Sequence, residues 1–393
     1  MDRELTQLAE QMQRARCAAE VFGVFTGNAE EQMEQAAVAY RQLVKIAHPD
    51  RYKHNGDQAT ALETFKLLQE LWREAQAQIQ IGTYGDGTRL QSVDPVMVQA
   101  GKHQYVVQTQ MAAGDFCNLY HCMPVGDPTR AVFKVAVDPG NNDLVAHEAH
   151  ILHHLHADKA FEKLHIYIPT VHDAFAYKDP SNVTRRVNIL QALEGFYSLK
   201  EVRAEYRNGV DPRDMVWIWR RLLVALGLAH INGVIHGAVL PEHVLIHPEM
   251  HGLVLVDWTC AVMVEDASCP APYIPAMNVE YEPWYPPEIK ARQSPLPGTD
   301  IYMAVQCMIY LLGGDPATGV IPEATPRPFV RFFKGCLQAS PRARPQDTWK
   351  LLEEFDEVIE RLWGKRTFHP FVMPRRDFPR MPPFGGSKSA RTG

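Results

Sequence analysis

The stretch 234–259 constrains this chain more than any other. Val234-Ile235 leads into His236-Gly237-Ala238-Val239-Leu240-Pro241-Glu242-His243. The apolar runs Val244-Leu245-Ile246 and Leu253-Val254-Leu255-Val256 follow, and the stretch closes on Asp257-Trp258-Thr259. An apolar frame on both sides of a short polar loop marks backbone fixed by a core, and loops fixed in this way are where proteins place binding and catalytic groups. The chemistry then depends on which side chains the loop carries. Here Ala238 and Leu240 stand between two histidines, so two central positions have nothing to titrate.

Length and composition set the outer limits. At 393 residues with 46% hydrophobic side chains, the chain exceeds one ordinary core and predicts two or three domains of a multidomain globular protein. A net charge of -6 and a pI near 6.3 leave no global footprint for nucleic acid, and no apolar run reaches the roughly 20 residues that span a bilayer. Met1-Asp2-Arg3-Glu4 opens a charged, glutamine-rich segment with no secretory signal, so a cytoplasmic protein with neither nucleic-acid nor membrane partners is expected. The seven cysteines are odd in number, scattered and never spaced Cys-x-x-Cys, which reads as reduced, buried thiols. His147, His150, His153, His154 and His156 are dense, and 147, 150 and 154 share a helical face. With no nearby cysteine and no partner carboxylate pattern they read as a helix surface and not as a metal site.

Two helical stripes precede residue 82. Met33, Ala36, Ala37, Tyr40, Leu43, Val44 and Ala47 recur at helical spacing over 29–47, a run without Gly or Pro that His48-Pro49-Asp50 stops. A second run over 57–81 carries Ala61, Leu62, Phe65, Leu68 and Leu71-Trp72 on a similar stripe and ends before Gly82. Together they predict a helical hairpin around a Pro-containing turn. With Phe22-Gly23-Val24, Ala39-Tyr40-Arg41-Gln42-Leu43, His48-Pro49-Asp50-Arg51 and Phe65-Lys66 in place, residues 1–82 resemble a J domain, the hairpin that stimulates ATP hydrolysis by DnaK-type chaperones. That resemblance implies chaperone contact through His48, Pro49 and Asp50, with Arg41, Lys45, Arg51 and Lys53 attracting an acidic partner surface.

From residue 103 the pattern turns to strands. Gln104-Tyr105-Val106-Val107-Gln108, a turn at Ala112-Ala113-Gly114-Asp115-Phe116-Cys117, and Ala131-Val132-Phe133-Lys134-Val135-Ala136 resemble the small lobe of a protein kinase. In that family a Gly-rich loop covers nucleotide phosphates with backbone; here only Gly114 of three glycines is present, implying looser or more obstructed cover. Lys134 matches the phosphate-holding lysine and Glu148 its ion-pair partner. Asn188 to Gly195 resembles the interlobe hinge, where backbone from Gln191 to Leu193 would bind an adenine.

The large lobe keeps more of the pattern. An apolar helix over 215–231 delivers the 236–243 loop. Trp284-Tyr285-Pro286-Pro287-Glu288 resembles the end of an activation segment, Asp300 a brace for the catalytic loop, and Arg344 the partner of Glu288. Phosphoryl transfer in this family needs a catalytic aspartate, a lysine, an asparagine and a metal-binding aspartate. Those positions hold Ala238, Leu240, His243 and Asp257, so three of the four are lost. Loss of a general base alone forfeits roughly 10²–10⁴-fold in rate.

The resulting expectation is a multidomain α+β chain. An all-α J-domain hairpin (1–82) and a linker (83–102) precede a two-lobed kinase-like fold, with its small lobe at 103–196 and large lobe at 197–364; a Pro- and Arg-rich, disordered tail (365–393) follows. The expected protein is a co-chaperone or adaptor whose kinase-like domain is a pseudokinase. That domain would bind a protein client and ATP, with Gly114, Lys134, Glu148, Gln191, Leu193 and Asp257 at the nucleotide and Asp257 holding Mg. The alternative is an active phosphotransferase with Glu242 or His243 as substitute base, and a third reading is a scaffold that binds neither nucleotide nor chaperone.

Overall fold

The computed structural model describes residues 2–373, apart from 16, 26, 28, 53–56, 81–83, 85–95, 101–102, 128, 180, 265–272 and 366. Lys53, Ser268, Cys269, most of the expected linker and the tail beyond 373, including Phe378, therefore lie outside the described residues, as do the side chains of Pro49 and Asp50. The backbone divides into two compact units, residues 1–97 with 107–109, and 98–106 with 110–393.

Up to Gln80 the first unit is helical: α1 (Arg3–Arg14), α2 (Ala19–Phe22), α3 (Ala29–Ala47) and α4 (Gln58–Gln80), with a 3-10 turn at Pro49–Tyr52. Asp2 caps α1 by accepting from the amides of Glu4 and Leu5, which satisfies donors that the first helical turn leaves open. Both long helices fall where the periodicity placed them. Their shared face buries Ala36, Ala47, Leu68, Leu71, Ala75 and Ile79 with Leu8 and Met12 of α1, while Tyr40 stacks on Trp72 at 4.7 Å between centroids. Leu62 departs from its expected stripe and is exposed, because its neighbour Ala61 takes the inward position against Leu5 and Tyr52. The Tyr52 hydroxyl donates to the Ile46 carbonyl at 2.9 Å, tying the turn to the end of α3. Sequence periodicity had not marked α1.

Next along the chain comes a six-stranded sheet. Its strands are β1 (Val96–Ala100), β2 (His103–Ala113), β3 (Cys117–Pro124), β4 (Ala131–Ala136), β5 (Val171–Lys178) and β6 (Thr184–Gln191), in the order β1-β2-β3-β4-β6-β5. Part of the expected 83–102 linker is a strand: Val96-Met97-Val98-Gln99-Ala100 forms β1 at the sheet edge. Helix α5 (Asn142–Ala157) packs on β6, burying Val145, Glu148, Ala149, Ile151, Leu152 and Leu155.

Residues beyond the sheet are mainly helical: α6 (Leu199–Glu205), α7 (Pro212–Ile231), α8 (Pro287–Lys290), α9 (Pro297–Leu311), α10 (Arg327–Cys336) and α11 (Thr348–Trp363). Short strands β7 (Tyr197–Ser198), β9 (Val244–His247) and β10 (Gly252–Leu255) form one ribbon, and β8 (Val234–Ile235) pairs with β11 (Val262–Met263). α7 and α9 are the buried axis of this half. Trp219 of α7 is fully buried with edges toward Phe332, Phe333 and Phe355, a packing whose loss on truncation to alanine costs about 3–5 kcal/mol.

Residues 367–373, expected to belong to a loose tail, are packed down. Phe371 is 4% exposed and stacks on Tyr206 at 5.2 Å, Phe368 stacks on His251, and the Tyr206 hydroxyl donates to the Val372 carbonyl at 2.7 Å. Two aromatic anchors hold the strap down. Among the described residues no helix is long and apolar enough to cross a membrane, and the six described cysteines are free and buried.

Candidate functional site

Three elements far apart in sequence meet at one cluster of charge. The uniformly buried strand β4 carries Lys134, 2% exposed, to within 2.7 Å of Glu148 Oε1 on α5 and 3.0 Å of Asp257 Oδ1 in the turn after β10. Glu148 also accepts from the Trp258 amide at 3.0 Å and from Asn188 Nδ2 at 3.0 Å, and Asn188 donates in addition to the Val145 carbonyl at 2.8 Å. A fully buried carboxylate therefore has a cation and two further donors, the condition under which buried charge is tolerated. Asn188 was named in the sequence only as the start of a hinge. Its signal was there: a lone amide in the apolar run Val187-Asn188-Ile189-Leu190.

Asp257 sits at φ +62°, an uncommon conformation for a non-glycine residue, and the contacts of its side chain hold it there. Oδ1 accepts from Lys134 and from the Thr259 hydroxyl at 2.5 Å, while Oδ2 faces His243 Nε2 at 3.4 Å. Burial pushes this carboxyl up, but Lys134, the neighbouring imidazole and the Thr259 hydroxyl outweigh it and hold the group well below the usual carboxylate range. The Lys134 ammonium is disfavoured by burial, yet the two carboxylates more than restore it and raise it above its ordinary value. The sequence reading missed Thr259.

The loop between β8 and β9 is braced from beneath. Asp300, fully buried at the start of α9, accepts from the amides of His236 and Gly237 at 2.8 Å each and contacts His230 Nε2 at 2.9 Å. Gly237 is at φ +74°, and a Cβ there would meet Ile274 Cδ1 at 2.7 Å and the Cys260 carbonyl at 3.1 Å, so glycine is required. The His236 ring is an internal tie. Its Nδ1 accepts from the Ala238 amide at 3.2 Å, which makes Nε2 the donor to the Val256 carbonyl at 3.1 Å, and burial pushes its pKa down to about 4.

The chemistry-bearing positions on that loop are empty of chemistry. Ala238 is 4% exposed and Leu240 fully buried in the core, so neither presents a group to a substrate. Glu242, one substitute base considered, is paired with Lys200, which also reaches Glu280 at 3.5 Å. His243, the other, donates from Nδ1 to the Ala238 carbonyl at 2.8 Å. Glu288 and Arg344 form a bidentate pair at 2.5 and 3.0 Å, with the Thr299 hydroxyl donating to Glu288 and Arg344 lying 4.7 Å over the Tyr302 ring.

At the other positions expected to meet a nucleotide, Gly114 forms the tip of the β2–β3 hairpin and donates its amide to the Cys117 carbonyl at 3.0 Å. A Cβ there would meet that carbonyl at 2.9 Å. Gln191 gives its amide to the Thr170 carbonyl at 2.9 Å, and Leu193 follows β6 in the link to β7. Of the α5 histidines, His147, His154 and His156 each bond a backbone carbonyl, of Ala261, Asn232 and Pro169.

A magnesium ion is a poor match for this cluster. Mg²⁺ requires hard oxygen ligands in octahedral array, but Glu148 is taken up by its three donors and Asp257 Oδ1 by Lys134 and Thr259, which leaves Asp257 Oδ2 opposite an imidazole. Among the described residues no group of three or more His, Cys, Asp or Glu side chains gathers for a metal.

A sheet-rich lobe, a helical lobe and a Lys–Glu–Asp cluster with a braced loop define a kinase-like fold. The crystal structure of a kinase domain shares that fold with a TM-score of 0.51 at 17% sequence identity, covering 63% of this chain and 94% of that one. No family model matches the sequence, and no curated protein does.

Proposed function

We propose that this chain is a co-chaperone or adaptor in which a J domain (1–82) recruits and stimulates a DnaK-type chaperone, and a pseudokinase domain (103–196 and 197–364) binds a protein client and a nucleotide without transferring phosphoryl. One observation carries the pseudokinase half: Ala238 and Leu240 are buried inside a framework whose Lys134–Glu148 pair and Asp300 brace are fully assembled. The structural requirements of the fold are met while the group that would orient an acceptor hydroxyl is absent.

Support for the co-chaperone half is the α3–α4 hairpin with His48 exposed at the end of α3 and Arg41 and Lys45 exposed on the same helix. Arg51 reaches Asp2 at 3.8 Å and Glu4 at 3.5 Å, contacts weak enough at an exposed site to be exchanged for an acidic partner. The test is the ATPase rate of a DnaK-type chaperone with the full chain or with its His48→Gln variant. Stimulation by the first and not the second is expected, and equal rates would remove the co-chaperone reading. Incubation with labelled ATP and a divalent ion addresses the other half: transfer that disappears in Asp257→Ala would make the chain a phosphotransferase.

A further inference from the structure

Away from the Lys134–Asp257 cluster, a cavity of about 430 Å³ lies between α7, α11 and the strap that follows α11. Arg213, Trp217 and Arg220 line it from α7, at the spacing that gathers side chains on one helical face, and Trp363, Lys365 and His251 close the other walls. Its charge is unbalanced. Arg220 is committed to Asp356, whose two carboxylate oxygens accept from its Nε and Nη2 at 2.5 and 2.9 Å, and His369 at the rim has Asp214 beside it. Neither Arg213 nor Lys365 has a carboxylate partner among the described residues; the Arg213 guanidinium lies 5.2 Å over the Trp363 ring. Two positive charges therefore line one cavity.

The same walls hold two ring nitrogens that are buried and make no hydrogen bond, Trp217 Nε1 and His251 Nε2. An indole N–H only donates, and native packing seldom leaves a buried donor without an acceptor. His251 is 9% exposed, with its ring stacked on Trp217 at 4.2 Å and on Phe368 at 4.3 Å. Burial lowers its pKa, with the His369 backbone opposing that shift, and an anion alongside would favour the imidazolium again. Phe368 covers this imidazole while itself 65% exposed, so a small lift of the phenyl ring uncovers the nitrogens at little loss of buried apolar surface.

We propose that this cavity binds a small organic phosphate monoester. A phosphate group carries nearly two negative charges at neutral pH and three acceptor oxygens, which matches two unpaired cations and two unpaired ring nitrogens. Arg213 presents the planar fork that suits phosphate oxygens, and Lys365 supplies the second charge. The volume exceeds what a bare phosphate fills and falls in the range of small-molecule sites, with Val216 and Ile359 on the walls to take the organic part. No residue is shared with the nucleotide positions or with the α3–α4 hairpin, so this site stands or falls independently of both.

The experiment is calorimetric titration of the full chain with phenyl phosphate, inorganic phosphate and benzoate, repeated on Arg213→Ala and Lys365→Ala. One equivalent of phenyl phosphate is expected, bound at least about tenfold more tightly than inorganic phosphate because of its apolar body, and at least about tenfold more tightly than benzoate because of its second charge. Each variant should lose at least about tenfold in affinity for phenyl phosphate, the loss of one charge-assisted contact. Circular dichroism checks folding; Lys365 is exposed, so its variant keeps the test decisive if Arg213→Ala is misfolded. No binding of phenyl phosphate, or binding unchanged in the folded variants, overturns the proposal. Equal affinity for inorganic phosphate overturns the ester assignment, and equal affinity for benzoate overturns the phosphate assignment.

Discussion

Replacing Arg344 by alanine isolates the ion pair that fastens α8 to the segment before α11. Glu288 is 3% exposed and Arg344 3%, and the two bidentate bonds of 2.5 and 3.0 Å supply all but one of the donors to the carboxylate, the other being Thr299. Arg344→Ala leaves that carboxylate buried with a single hydroxyl partner. Breaking a buried pair from one side costs about 3–5 kcal/mol, most of it the uncompensated charge left behind. The carbonyls of Gln338 and Ala339 also lose their guanidinium donor, which places the expected loss at the upper end of that range.

Urea unfolding followed by tryptophan fluorescence measures the loss. Thermal midpoints should fall by roughly 6–20 °C at about 2–4 °C per kcal/mol for a unit of this size. The pair Glu288→Ala and Arg344→Ala is the sharper instrument, because the double variant has no orphan charge and should cost clearly less than the two single losses added together. Additive losses, or a loss under about 1 kcal/mol for Arg344→Ala, would refute the reasoning that charge burial and not local packing fixes this joint.

Other perturbations follow from the same contacts. His236 titrates near 4 in the folded chain against 6.5 in an unfolded one, so the unfolded state binds more protons between those values and stability should fall as pH drops from 6.5 toward 4, by up to about 3 kcal/mol. A shallower acid slope in His236→Gln, measured by urea midpoints at several pH values, checks it. Gly237→Ala should destabilise by at least about 1 kcal/mol, since the residue is at φ +74° and its new Cβ meets Ile274, and an unchanged thermal midpoint would count against the bracing account. Phe371→Ala should cost about 3–5 kcal/mol, because the ring is 4% exposed and stacked on Tyr206; a loss below about 1 kcal/mol would return the strap to the loose tail expected from composition.

Much of the architecture was legible before any coordinates. The α3 and α4 stripes follow from apolar spacing, whereas the pairing of Lys134 with Glu148 and of Glu288 with Arg344 came from the resemblance to a kinase and not from the spacing of the residues themselves. The less legible features depend on partners distant in sequence. Val96–Ala100 reads as linker because a short edge strand has little periodicity of its own, and its strand character comes from pairing in the sheet. Thr259 carries no signal of its own, and the lone amide of Asn188 in an apolar run does not say what it meets; they matter because one hydroxyl and one amide arrive beside Asp257 and Glu148.

The 236–243 loop divides along the same line. Its composition alone determined that no carboxylate stands at 238 and no ammonium at 240, since no folding event can supply a missing functional group. Only the tertiary structure decided what the remaining groups do. It buried Leu240, tied His236 to Val256, paired Glu242 with Lys200 and turned His243 toward Asp257. A side chain's chemistry is fixed by its covalent structure, whereas its role depends on the few ångströms of surroundings that long-range packing brings to it.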